Sequence, residues 1–125
     1  MKTFSIAVLF VVATTLASGS AQAGRQRATI KGYVIDSACT FIKNLKRPAS
    51  RECAVACAKA GSPLVILATD GRIYLPISDA VPATGENSRL MKYAGKKVVV
   101  TGTVYDRNGA LGLVIEKVAI IGKGK

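Results

Sequence analysis

A succession of five short β-like segments, separated by turns and helical stretches, constrains the fold of this chain more than any other feature. Val, Ile, Leu, Thr and Tyr dominate these segments, as is typical of strands. The dipeptide Asp70-Gly71 predicts a tight hairpin between the second and third segments. The predicted strands cover residues 28–35, 64–68, 72–75, 96–105 and 111–121. The chain is therefore expected to be mainly β.

Two helices are predicted between these strands. The first covers 51–60, with Ser50 as its N-cap and Gly61 as its stop. The second is a short helix over 86–93, with Thr84 as a candidate cap. Residues 37–50 carry several basic side chains and a proline, and are predicted to form an irregular loop.

The order strand, helix, strand, strand, short helix, strand, strand predicts a small five-stranded OB-fold-like barrel. It has a Cys-bearing helix inserted in the first connection and a short helix before strand 4. Gly32, Gly102 and Gly112 lie inside predicted strands, where they suit the tight bends of a small barrel. A small open α+β sheet is the competing fold.

The N-terminus has the pattern of a secretory signal peptide over residues 1–23. Lys2 supplies the positive start, an apolar run of about 14 residues follows, and Ala21-Gln22-Ala23 is a small-x-small cleavage site. The run is shorter than the roughly 20 residues that a membrane-spanning helix needs. An uncleaved anchor is the alternative. We expect a single domain over 24–125, without a transmembrane span, in a bacterial periplasm or secreted.

The residues that the chain lacks exclude several kinds of site. It contains no His, which rules out Ser-His-Asp and Cys-His catalysis and any His-ligated zinc. No pair of acidic residues has a spacing that suggests acid–base catalysis, and no glycine-rich phosphate loop opens a helix. We therefore expect a protein that is not an enzyme.

Cys39, Cys53 and Cys57 are the only cysteines, and they form the one constellation that could carry chemistry. Cys53 and Cys57 are four residues apart on the predicted helix, so their Cβ atoms should lie about 5–6 Å apart. Cys39 follows the first strand and can reach the same helix face. The sequence thus predicts that three thiols converge.

Three interpretations of this cluster remain open. Cys39 could pair with Cys53 or Cys57 in a structural disulfide worth about 2–4 kcal/mol, which leaves one thiol over. The three sulfurs could instead bind Cu(I), or Zn(II) with Asp36 as a further ligand. Thiol–disulfide chemistry is the third interpretation. It needs thiols of lowered pKa, which a basic neighbourhood could supply, here Lys43, Lys46, Arg47 and Arg51.

The stretches GYVIDSAC at 32–39, CAVAC at 53–57 and GSPL at 61–64 follow a GxVxDxxC…CxxxC pattern. With this pattern the chain resembles a group of small, poorly characterised secreted bacterial proteins with an OB-fold-like domain. Residues 95–118 also resemble the last two strands of many exported bacterial proteins of this fold. The resemblance implies a fold and a compartment, and it implies no activity.

The chain carries a formal net charge of +11, and +10 once Lys2 is removed with the signal peptide. Such a charge favours polyanions. Tyr33, Tyr74 and Tyr105 lie on predicted strands and could share a binding face, although lone tyrosines on strands usually pack. We do not expect nucleic acid as a partner, because the protein is predicted to be exported.

These observations together predict an exported binding or accessory domain that acts on an unknown protein or small ligand. No cofactor is expected in that case. The alternatives are a protein that binds Cu(I) or Zn, or does thiol redox chemistry, through the three cysteines, and a binder of polyanions or oligosaccharides that uses its basic face.

Overall fold

A computed structural model describes residues 24–122, and all five predicted strands are present in this part of the chain. They are β1 (Arg25–Asp36), β2 (Leu64–Ala68), β3 (Ile73–Pro76), β4 (Lys97–Arg107) and β5 (Ala110–Ile120). The predicted signal peptide over 1–23 lies outside the described residues.

The strands close into a barrel in the order β1-β2-β3-β5-β4 and back to β1. The β3–β5 pair is parallel, and the other four pairs are antiparallel. This connectivity confirms the predicted five-stranded OB-fold-like barrel. The open α+β sheet is excluded, because the sheet is closed.

Three short helices lie in the connections between the strands. They are α1 (Ser37–Phe41), α2 (Arg51–Lys59) and α3 (Asn87–Leu90), the last followed by a 3-10 turn (Met91–Tyr93). Helix α2 is the predicted Cys-bearing helix, and α3 is the predicted helix before strand 4.

Three local predictions were wrong. Residues 37–50 do not form an irregular loop throughout, because α1 begins directly after β1 with Asp36 as its N-cap. Glu86, not Thr84, precedes the first residue of α3, and no side chain caps that helix. The basic residues 25–27, predicted to lie before the first strand, belong to β1 because they pair with 103–105 of β4.

Alternate residues of the strands fill the barrel with aliphatic side chains. Val34, Val98, Val100 and Leu113 are completely buried there. Ala54 and Ala58 of α2, together with Leu90 of α3, pack into the same core and close one end of the barrel. Helix α2 is thereby fixed against the barrel through one face, which leaves another face for other contacts.

Gly32 lies where β1 pairs with two strands at once, opposite Ala68 of β2 and Val98 of β4. A Cβ atom at this position would collide with the carbonyl oxygen of Leu67. The close approach of the β2 backbone to β1 therefore requires glycine at this position.

Strand β2 is buried on both faces, which explains its unbroken apolar sequence. Leu64, Ile66 and Ala68 belong to the barrel core. Val65 and Leu67 face outward and form a second small apolar cluster with Ile35 and Cys39. Helix α1 therefore lies over the outside of the barrel and brings the first cysteine with it. Among residues 24–122 there is no helix of the length and hydrophobicity that crossing a bilayer would demand.

Candidate metal centre

Cys39 lies in the middle of α1, on the outer wall of the barrel. The Asp36 carboxylate accepts a hydrogen bond from the backbone N–H of Cys39 at 3.0 Å and so caps the helix. The Thr40 hydroxyl donates to the Asp36 carbonyl at 2.9 Å. Cys39 itself is only 6% exposed. Its position is therefore set by strand β1 and by a cap that immediately follows that strand.

Cys53 and Cys57 project from α2 and are half-buried. The hydroxyl of Ser50 accepts from the backbone N–H of Cys53 at 3.0 Å, which fixes the start of the helix. One helical turn separates the two cysteines, so they share a face, as predicted. Ala54 and Ala58 follow them by one residue each and pack into the barrel core, which holds the cysteine face beside α1.

The sulfur atoms of Cys39, Cys53 and Cys57 all lie within 4.8 Å of one another. The predicted convergence of the three cysteines is thus what the structure shows. All three are free thiols, and no disulfide joins any pair. One buried sulfur and two half-buried sulfurs form a cluster that is open to solvent on one side.

Asp36, the predicted further ligand, is not among the ligand atoms that all lie within 4.8 Å of one another. Its carboxylate, 1% exposed, is turned to the N-terminus of α1 and to the Ser62 hydroxyl, which donates to Oδ1 at 3.2 Å. Asp36 therefore orients Cys39, as carboxylates outside the ligand set do in many metal sites.

The pKa values of this region show how strongly Asp36 acts on the thiols. A hydrogen bond from the Cys39 thiol to the Asp36 carboxylate, followed by burial, raises the pKa of Cys39 to about 12. Burial, followed by the charge of Asp36, raises the pKa of Cys57. Burial alone would raise the pKa of Asp36, but hydrogen bonds from Cys39 and Ser62 lower it. Cys39 and Cys57 are therefore neutral thiols beside an ionised carboxylate.

Two further polar residues hold the cluster in place, and no pattern in the sequence predicts them. Ser62 joins Asp36 through its hydroxyl, and its N–H donates to the Cys57 carbonyl at 3.0 Å. Asn87 of α3 donates to the Ser62 carbonyl at 2.8 Å and accepts from the N–H of Leu64 at 2.8 Å. In the sequence, Gly61–Leu64 marks only the end of a helix and the start of a strand. No local signal shows that Asn87, 25 residues after Ser62, holds this stretch in place.

The three predicted surface tyrosines are not brought together. Tyr74 is 2% exposed and belongs to the barrel core. Tyr33 and Tyr105 are half-buried, and they lie far apart along the β1–β4 pair, opposite Lys97 and Arg25 respectively. A single binding face made of all three is therefore absent from the described barrel.

No family model, no curated protein and no solved structure gives a significant match to this chain. Nothing in the described residues indicates catalysis. The cluster of Cys39, Cys53 and Cys57 is therefore judged on its own geometry and chemistry.

Proposed function

We propose that this protein is a binding protein for a soft metal ion, Cu(I), held by the thiolates of Cys39, Cys53 and Cys57. The observation that carries the proposal is the mutual approach of three sulfurs to within 4.8 Å, from two helices that are separately capped. Thiolate ligands select Cu(I) and Zn(II) among the biological metals. The protein is, on this proposal, exported and not an enzyme.

The size of the cluster fits a single ion. Metal–thiolate bonds of about 2.3 Å place two sulfurs of a trigonal site about 4 Å apart. Sulfurs that already lie within 4.8 Å of one another reach that spacing by small side-chain rotations. The backbone of α1 and α2 need not move.

The number of ligands favours Cu(I) over Zn(II). Structural zinc sites have four protein ligands, and the three cysteines supply only three. The chain has no histidine to be the fourth, and the Asp36 carboxylate already accepts hydrogen bonds from Cys39 and Ser62. Cu(I) is satisfied by three sulfurs. The half-buried Cys53 and Cys57 give an ion a route to the buried Cys39.

Thiol–disulfide exchange is less well supported by the same site. Reactive cysteines have a lowered pKa, and here the pKa values of Cys39 and Cys57 are raised. The strongest charge on these thiols is the carboxylate of Asp36, which opposes ionisation. Cu(I) binding is different in this respect, because the metal displaces the thiol protons as it binds.

The test is native mass spectrometry of the exported protein, purified without added thiol or chelator, followed by anaerobic titration with Cu(I). We expect one Cu(I) per chain with all three cysteines reduced. Replacement of any one cysteine by serine should weaken the binding by orders of magnitude. Ala56→Ser, at an exposed position between Cys53 and Cys57, is the matched control and should leave it unchanged.

Two results would overturn the proposal. One is a protein whose mass is lower by one disulfide and which takes up no Cu(I) after reduction. The other is retention of full affinity in Cys39→Ser, which would reduce the site to the two cysteines of α2.

A further inference from the structure

Three neighbouring clefts lie along β1 and share lining residues with one another. The first, of about 420 Å³, lies at the barrel mouth between β1 and the β2–β3 turn, and includes Lys31 and Arg72. The second, also about 420 Å³, shares Thr69 and Asp70 with the first. The third, of about 590 Å³, shares Tyr33 and Lys97 with the second. We call this surface the β1 channel.

The β1 channel is strongly cationic. Five basic side chains line it, namely Lys31, Lys46, Arg72, Lys96 and Lys97. Asp70 is the only acidic residue that lines these three clefts, and it is already paired with Arg72 at 2.7 Å. Four lysines thus remain without a neutralising carboxylate within the described part of the chain.

The shape and lining of the channel distinguish among possible anionic ligands. Its lysines are spread over three neighbouring clefts, which suits an extended chain better than the surface of a bilayer. Tyr33 is the one aromatic residue of the channel that is not buried, and the Lys97 ammonium lies over its ring, 5.9 Å from the centroid. Single-stranded nucleic acids require several free aromatic faces for successive bases. Gln26, Thr29 and Thr69 instead offer amide and hydroxyl groups to sugar hydroxyls.

We propose that the β1 channel binds an acidic polysaccharide, whose carboxylate or sulfate groups lie on Lys31, Lys46 and Lys97. This surface is separate from the cysteine cluster, because none of the three cysteines lines any of its clefts. The inference is therefore independent of the metal proposal.

The experiment measures the affinity of the full exported protein for a heparin oligosaccharide over a range of salt concentrations. A variant with Lys31→Gln, Lys46→Gln and Lys97→Gln is compared with a control in which Lys59, Lys92 and Lys117 become Gln. The control lysines are exposed and line none of the three clefts, and both variants lose three charges.

The channel variant should lose about tenfold or more in affinity. The slope of log affinity against log salt concentration, which is negative, should become less steep by about three. The control variant should keep both values close to those of the parent protein. Far-ultraviolet circular dichroism verifies that both variants are folded.

Equal losses in the two variants would show that net charge alone attracts heparin, and would overturn the inference. A single-stranded oligonucleotide that binds more tightly than heparin, with the same dependence on the channel lysines, would overturn the assignment to a polysaccharide.

Discussion

The barrel and the insert between β1 and β2 are held together by different forces. The barrel is stabilised by burial of aliphatic side chains such as Val34, Val100 and Leu113, which are completely buried. The insert, residues 37–63, buries little apolar surface beyond Cys39, Ala54 and Ala58, and depends on helix caps and polar contacts. The insert carries the candidate metal centre, so the geometry of that centre rests on the weaker set of interactions.

This comparison makes clear predictions about mutations. A substitution in the barrel should lower the stability of the whole domain and leave the cysteine geometry intact in the molecules that remain folded. A substitution in the insert should cost less stability and change the metal site more.

The largest effect on stability is expected for Leu113→Ala. Truncation of a completely buried leucine leaves a cavity and costs about 3–5 kcal/mol. Urea denaturation measures this loss. At low temperature, where the variant is folded, it should still bind one Cu(I) per chain. Loss of Cu(I) binding in the folded variant would show that barrel and insert are not energetically separate.

A smaller loss is expected for Asp36→Ala. The change removes the cap of α1 and leaves the N–H of Cys39 and the hydroxyl of Ser62 without their acceptor, at a cost of about 2–3 kcal/mol. Cu(I) affinity should fall too, because Cys39 is no longer oriented. Denaturation and Cu(I) competition with a chelator measure the two effects. Unchanged Cu(I) affinity would contradict the orienting role of Asp36.

Ser50→Ala tests the other cap and should cost about 1 kcal/mol, since it removes the acceptor for the N–H of Cys53. Hydrogen exchange at the first turn of α2 should become faster, whereas exchange in β4 should remain slow. Uniformly faster exchange across the domain would show that the insert and the barrel unfold together.

The smallest effect is the acid sensitivity that Asp36 contributes. Its pKa is lower in the folded protein than its ordinary value of 3.8. The stabilisation that the ionised Asp36 carboxylate provides is therefore complete above pH 3.8, and it is lost as the pH falls through the pKa of Asp36 in the folded protein. In Asp36→Asn, which cannot ionise, stability should vary less with pH below about 4 than in the parent protein. Denaturation at a series of acidic pH values measures this, and identical profiles would contradict it.

The sequence predicted the barrel well, because each strand carries its own local signal. The bounds of β2 over 64–68 and the start of α2 at Arg51 are confirmed, and the turn at Asp70-Gly71 is present, with the Asp70 side chain bonded to the N–H of Arg72. The convergence of the three cysteines was predictable too, since helical periodicity and the end of a strand fix their directions.

The remaining features depend on contacts distant in sequence. Helix α1 is only five residues long, too short for a periodic pattern to reveal. The alternation of residues along β3 does not indicate which face is inside, so Tyr74 could be placed in the core only once its pairing with Ile66 was known. The β1 channel gathers lysines from three separate segments, and no sequence pattern joins them.

X-ray absorption at the copper edge, on the protein loaded anaerobically with one Cu(I), tests the central claim most directly. The account predicts a first shell of three sulfurs, with no nitrogen or oxygen ligand, and a reduced sulfur shell in each Cys→Ser variant. A shell of two sulfurs in the parent protein, or one dominated by nitrogen and oxygen, would contradict a site formed by Cys39, Cys53 and Cys57.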